Sequence, residues 1–191
     1  MIHNIIGFHG SSTDSAKEIL KSNYELSIGD NHWVGNGVYF FIEGISSKPD
    51  EQSKKWAKTQ SWDKKTKKLK YKYYCIIKSE ISVNEENLLD LTKEDGVEIL
   101  SYLFRKYEDK INKLGKKVEY YEGLLINLAR GEGLLDIQVV KGNFYIKFAE
   151  ERIIRINLRT ANCTICTVFE PRINITNSII VSTGEIKDEV Y

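Results

Sequence analysis

Two ring-bearing polar side chains stand beside glycines near the start of the chain. His9 lies in Phe8-His9-Gly10-Ser11-Ser12, and Tyr39 lies in Trp33-Val34-Gly35-Asn36-Gly37-Val38-Tyr39-Phe40-Phe41. Glycine has no Cβ, so a bound molecule can approach the main chain closely and leave N–H and C=O groups to read an amide or a ribose. The alternative use of the same residues is structural, as a satisfied core histidine and a core aromatic. Ser53 and Trp56 form a second pair: three apart in a helical segment, they share a face.

Two further patterns carry possible chemistry. Cys163-Thr164-Ile165-Cys166 has the spacing of a metal or redox pair. It lies in a strand-like run, however, where residues three apart face opposite ways. No second Cys/His pair has zinc-ligand spacing, so no metal is expected. With Cys75 the chain has three cysteines, an odd and small number that fits a reducing compartment. From Lys64 to Tyr74, lysines at 64, 65, 67, 68, 70 and 72 run into Tyr71, Tyr73 and Tyr74. Such a segment either follows a phosphate backbone and stacks on bases, or is a solvated loop guarding an edge strand.

The elements that position these residues follow from local pattern. Ile5 to Phe8 reads as a strand ending at His9-Gly10, followed by a helix that Ser12, Thr13 or Asp14 caps, with Ala16, Ile19 and Leu20 on one face. Gly35 and Gly37 turn the chain into a strand from Val38 to Ile42. Lys48 to Trp62 reads as a helix capped by Ser46 or Ser47, with Pro49 in its first turn. Leu88 to Gly115 reads as a long helix. Its capping box is Thr92-x-x-Asp95, and its stripe is Val97, Leu100, Phe104, Tyr107, Ile111 and Leu114. Tyr120 to Arg130 forms another helix with Leu124, Leu125 and Leu128 inward, closed by Gly131-x-Gly133. Strands are expected at Ile137–Val140, Phe144–Phe148, Ile153–Ile156, Thr164–Phe169 and Ile173–Val181. Strands early, helices central and strands late make an α+β class. Gly35-x-Gly37 lacks the third glycine and the following helix of a Rossmann fingerprint, and no phosphate loop of the Gly-x-x-x-x-Gly-Lys type exists.

At 191 residues the chain is expected to form one domain, 1–191, with ordinary apolar (41%) and charged (29%) content. A net charge of +1 argues against nucleic-acid binding by overall charge, while leaving room for a local basic patch. No apolar run reaches the ~18 residues of a membrane span. The start, Met1-Ile2-His3-Asn4, lacks a secretion signal, so a cytoplasmic protein is the expectation.

His9-Gly10-Ser11 at a strand end, followed by Gly35-x-Gly37-Val38-Tyr39-Phe40-Phe41, resembles the ADP-ribosyltransferases of the diphtheria-toxin and poly(ADP-ribose) polymerase type. The likeness covers most of the chain in order and is specific from Phe8 to Trp56. It implies a split β-sandwich with flanking helices, NAD as co-substrate and glycosyl transfer from C1 of the nicotinamide ribose. By resemblance, Gly10 grips the carboxamide through its main chain and His9 bonds a ribose hydroxyl. Ser11 and Gly37 border the same NAD site. Ser53 binds the carboxamide, and Tyr39 packs on the ring together with Trp56, which stands where the family has a tyrosine. Trp56 equally suits plain packing of its helix on the sheet. The third signature residue, usually a glutamate opening a late strand, aligns with Thr164. Family members with a neutral residue there often transfer a single ADP-ribose, and some are inactive. Asn162 and Glu170 share strand parity with Thr164 and are alternatives, as are Glu150 and Glu151 more weakly.

The resemblance thus implies a mono-ADP-ribosyltransferase acting on a macromolecular acceptor, either protein or nucleic acid, with RNA or DNA meeting Lys64–Tyr74. By analogy it is a bacterial toxin or phage-defence effector restrained by an inhibitory antitoxin. The alternatives are a catalytically inactive module that binds NAD or ADP-ribose, and an interaction protein that keeps only the fold.

Overall fold

A computed structural model describes residues 1–29, 32–114, 120–148 and 160–187. Among them, β1 (Ile2–Ser12) runs into α1 (Thr13–Ser22), and the Ser12 hydroxyl caps that helix by accepting from the Ser15 N–H at 3.1 Å. Next come β2 (Val38–Ile42) and α2 (Pro49–Ser61), then the small strands β3 (Trp62–Asp63) and β4 (Lys68–Leu69). After β5 (Tyr73–Asn84) and β6 (Leu88–Asp90) stand the helices α3 (Glu94–Lys113) and α4 (Tyr121–Gly131). The chain closes with β7 (Val139–Phe144), β8 (Cys163–Val168), the short helix α5 (Pro171–Asn174) and β9 (Ile175–Glu185).

Seven strands form one mixed sheet in the order β6-β7-β8-β2-β1-β5-β9, parallel only between β6 and β7, while β3 and β4 pair separately. With helices set against it, the organisation is α+β. The joint between β2 and β1 is short. Their register holds at Gly7↔Ile42 and Phe8↔Phe41 only. Beyond Phe8, β1 continues along β5 as far as Ser12↔Tyr74, while β2 follows β8 back to Val38↔Val168. The sheet therefore forks between His9 and Tyr39.

Alternation along β2 distributes its side chains between two faces. Val38, Phe40 and Ile42 join the cluster that Ala16 of α1 covers, and Phe41 joins Ile165, Cys163 and Phe148 on the other side. Cys166 lies in the first cluster and Cys163 in the second, so these cysteines face apart. Burial pushes the Cys163 thiol up to about 12 and raises Cys166 as well, so neither is a thiolate at neutral pH.

Several sequence expectations need correction. β1 does not stop at Phe8, because β5 pairs along it to Ser12. β5 is not an edge strand, since β9 covers its other side. α2 has Lys48 as N-cap and no side-chain cap; the Ser46 hydroxyl accepts from the Lys48 N–H instead. The region from Leu88 opens as strand β6 beside β7, and Thr92 does not cap α3. Its N–H and hydroxyl both bond the Asp90 carboxylate, at 3.0 and 2.6 Å. The buried stripe of α3 is Leu103, Tyr107 and Ile111, packed against Leu125 and Ala129 of α4, whereas Val97, Phe104 and Leu114 are exposed. One strand, β7, replaces the two expected near residues 137–148. α5 occupies the start of the expected last strand because Pro171 favours a first helical turn. The expected strand at Ile153–Ile156 and the helix stop at Gly115 lie outside the described residues. No described helix is long and apolar enough to cross a membrane.

Candidate functional site

A cleft of about 430 Å³ occupies the fork. From the two diverging strands it takes His9, Gly10, Val38, Tyr39, Phe40 and Phe41, with Ile165 of β8 behind them. Trp33, Trp56 and Tyr120 form an aromatic wall; Glu25, His32 and Gln60 stand at the rim. Trp33 is the hub of the wall: its ring centroid is 5.5 Å from Trp56, 6.4 Å from Tyr120, 6.0 Å from Tyr39 and 5.8 Å from a stacked Phe144.

His9 bridges the fork. Its Nδ1 lies 2.9 Å from the Tyr39 carbonyl oxygen. A carbonyl only accepts, so Nδ1–H donates and Nε2 is left with its lone pair. The ring packs edge-on against Tyr24 (5.4 Å) and tilted against Phe40 (5.8 Å). Burial lowers its pKa, partly opposed by the bond to Tyr39, so the neutral acceptor form holds at physiological pH.

Tyr39 offers the cleft its ring, not its hydroxyl. The phenol donates to the Gly35 carbonyl at 2.7 Å and accepts from the Val34 N–H at 3.2 Å; burial pushes its pKa up to about 12. It thereby ties down the turn that carries Trp33, at a point where Gly35 has φ +100. Tyr39→Phe is expected to cost about 1–3 kcal/mol in denaturant unfolding, because two main-chain groups lose a partner while the ring stays.

Gly10 marks the closest approach of α2 to β1. A Cβ built there would lie 2.1 Å from the Ser53 carbonyl oxygen. Ser53 itself is buried and its hydroxyl donates to Asp50 O at 2.7 Å. Ser53 is outside the cleft lining, as is Ser11, which pairs with Cys75. Gly37 lines the cleft and accepts from the Ser27 N–H at 3.2 Å.

Of the residues placed at the third motif position, none lines the cleft among the described residues. Thr164 is buried; its hydroxyl donates to Asn143 Oδ1 at 2.8 Å and accepts from the Ile45 N–H at 3.0 Å. The Asn162 amide clasps the Ile146 main chain through both its ends. Glu170 pairs with Arg130 at 2.8 Å, and the Arg130 guanidinium lies 4.2 Å from the Phe169 ring centroid. Glu150 and Glu151 lie outside the described residues. Thr164→Ala is expected to lower stability by about 1 kcal/mol by thermal or chemical unfolding, since the buried hydroxyl's bonds to the exposed residues Asn143 and Ile45 are lost and water can replace it on both.

No family model matches the chain. It is 38% identical over 88 residues to an uncharacterized protein of Methanocaldococcus jannaschii. That match takes in 45% of this chain and 36% of the archaeal protein, little more than a third of the relative's length.

Sequence reasoning missed Trp33, His32, Glu25, Gln60 and Tyr120 as lining residues. Trp33 carried a signal, an aromatic two residues before Gly35; the others come from segments that only tertiary packing brings together. Glu25 is the one carboxylate in the lining among the described residues.

Proposed function

We propose that the chain is an NAD-dependent mono-ADP-ribosyltransferase acting on a macromolecular acceptor, built as a sheet split at the β1–β2 fork with helices on its flanks. The observation that carries this reading is the fork itself: His9 with Nε2 as acceptor, the Gly10 main chain and the Tyr39 and Trp56 rings border one cleft. Flat aromatic walls suit a pyridine ring, glycine main chain suits a carboxamide, and an imidazole acceptor suits a ribose hydroxyl.

In the reaction, a lone pair on the acceptor attacks C1 of the nicotinamide ribose. The C–N bond to the pyridinium breaks, and nicotinamide leaves neutral with the bonding pair. The acceptor's proton passes to solvent. The sugar is cationic in the transition state, as in glycoside hydrolysis, so holding the ribose and excluding bulk water are the main tasks of the residues around it. His9, as acceptor, fixes the ribose hydroxyl and draws electron density toward the ring. Tyr39 and Trp56 confine the leaving group.

A second reading, an inactive module that binds NAD or ADP-ribose, is favoured by one observation: β8 offers the cleft Ile165 and no carboxylate. Incubation with NAD labelled in the adenylate, with and without cell lysate, separates the two. The transferase reading expects released nicotinamide and label that protease or nuclease removes. NAD binding with neither would establish the module instead. A cytoplasmic toxin or phage-defence role, with an antitoxin that blocks the cleft, remains part of the proposal and rests on the family likeness alone.

A further inference from the structure

A second cavity, of about 390 Å³, adjoins the cleft and shares Trp33, Trp56, Gln60 and Tyr120 with it. On the far side of these rings it is bounded by Trp62, Asp63, Lys64, Lys70, Tyr145 and Lys147. Five aromatic rings and three lysines thus meet in one groove. The single acidic group there is committed elsewhere: the Asp63 carboxylate accepts from the Lys65 and Thr66 N–H groups at 2.8 and 3.3 Å and so closes the β3–β4 hairpin. That hairpin holds out the exposed lysines 64, 65, 67 and 68 beside the groove. In a chain of net charge +1, this is a local concentration of positive charge beside clustered rings.

From this geometry we propose that the groove seats an unpaired nucleobase of a single-stranded nucleic acid, whose backbone runs over the β3–β4 hairpin and which is the acceptor of ADP-ribose. Rings provide stacking for any base, and lysines on one side follow the phosphates; together they form the usual platform for single strands. Trp33 and Trp56 border both cavities, so a base seated in the groove packs on the same rings that wall the cleft. A duplex has no unstacked base to insert. The acceptor assignment rests on the transferase reading; the binding site does not.

The test is fluorescence anisotropy of a short single-stranded oligonucleotide, as RNA and as DNA, on the full chain without NAD. Binding is expected for at least one sugar type, and it should weaken about 20-fold between about 50 and 200 mM salt if about three phosphates are neutralised. Trp62→Ala should weaken binding roughly tenfold, and the Lys64→Glu/Lys70→Glu pair should flatten the salt dependence by about 1–2 in log–log slope. Neither substitution touches the lining of the NAD cleft. No binding at low salt, equal binding of a duplex, or wild-type binding by both variants would overturn the proposal. So would transfer of label to protein alone. Nicotinamide release, followed separately on wild-type protein, reports on the transferase reading whatever the oligonucleotide does.

Discussion

On the transferase reading, replacement of His9 by phenylalanine is expected to reduce NAD turnover roughly 10- to 100-fold, and it should lower the melting temperature by a few degrees because the Tyr39 carbonyl loses its Nδ1–H donor. Removing the imidazole acceptor leaves the substrate hydroxyl unpaired in the cleft, which costs about 1–3 kcal/mol, and each ~1.4 kcal/mol is a factor of ten. Phenylalanine keeps the ring contacts with Tyr24 and Phe40 but removes both nitrogens, so the packing stays while the Nε2 acceptor and the Nδ1–H bond across the fork are lost. His9→Ala removes both and should also lose stability. The pH dependence carries a second signature. Burial lowers the folded pKa of His9 below the ordinary 6.5, so the unfolded chain takes up the proton more readily. His9 therefore leaves stability level above pH 6.5 and subtracts from it as pH falls below that value. Turnover should fall only at lower pH than this, through the lowered folded-state pKa, because protonation removes the acceptor. In His9→Phe this acid slope in stability should shrink. Wild-type turnover in His9→Phe would remove the imidazole from the site.

Gly10→Ala should be strongly damaging. The new Cβ would meet the Ser53 carbonyl at 2.1 Å and the Ala57 Cβ at 3.1 Å. The first of these is main chain in the middle of a helix and cannot swing aside. Either α2 moves off β1, taking Trp56 with it, or β1 bends away from the fork. Overpacking of this kind costs about 1–3 kcal/mol or more, which for a chain of this size is about 3–10 °C in melting temperature. NAD affinity should fall with it, since both outcomes pull one wall from the cleft. Gly131→Ala at the end of α4 is the control: nothing lies within 4 Å of its Cβ, and helix propensity favours the change by up to about 1 kcal/mol. Equal stability of the two variants would mean that α2 and β1 are not in contact at Gly10.

The local elements around the site were legible because each announces itself chemically. Ser12 caps α1 as its type and place suggest, Pro49 opens α2, and Gly35 precedes a run of β-formers that is β2. The late strand was less legible for a physical reason. Every residue of β8 is buried, so its sequence has no polar–apolar alternation from which to read which side chains face the fork. Alignment on a motif placed Thr164 at the third signature position; packing puts Ile165 at the cleft and ties the Thr164 hydroxyl to Asn143 and Ile45. The Thr92-x-x-Asp95 pattern failed for a related reason. A short parallel strand, β6, claims Leu88–Asp90, and the freed Asp90 carboxylate captures Thr92 before it can cap. The aromatic wall depended on contacts between Trp33, Trp56 and Phe144, whose separation along the chain hides them from any local pattern.

Past Phe8 the β1 main chain has β5 on one flank and, among the described residues, no strand in register on the other. Such a margin normally lies at the perimeter of a sheet, where it recruits strands from other molecules and must be blunted with charge or covered. Here His9 and Gly10 of that margin line a cleft of about 430 Å³ walled by Trp33, Trp56 and Tyr120, so main-chain groups that elsewhere recruit a neighbouring strand border a recess instead.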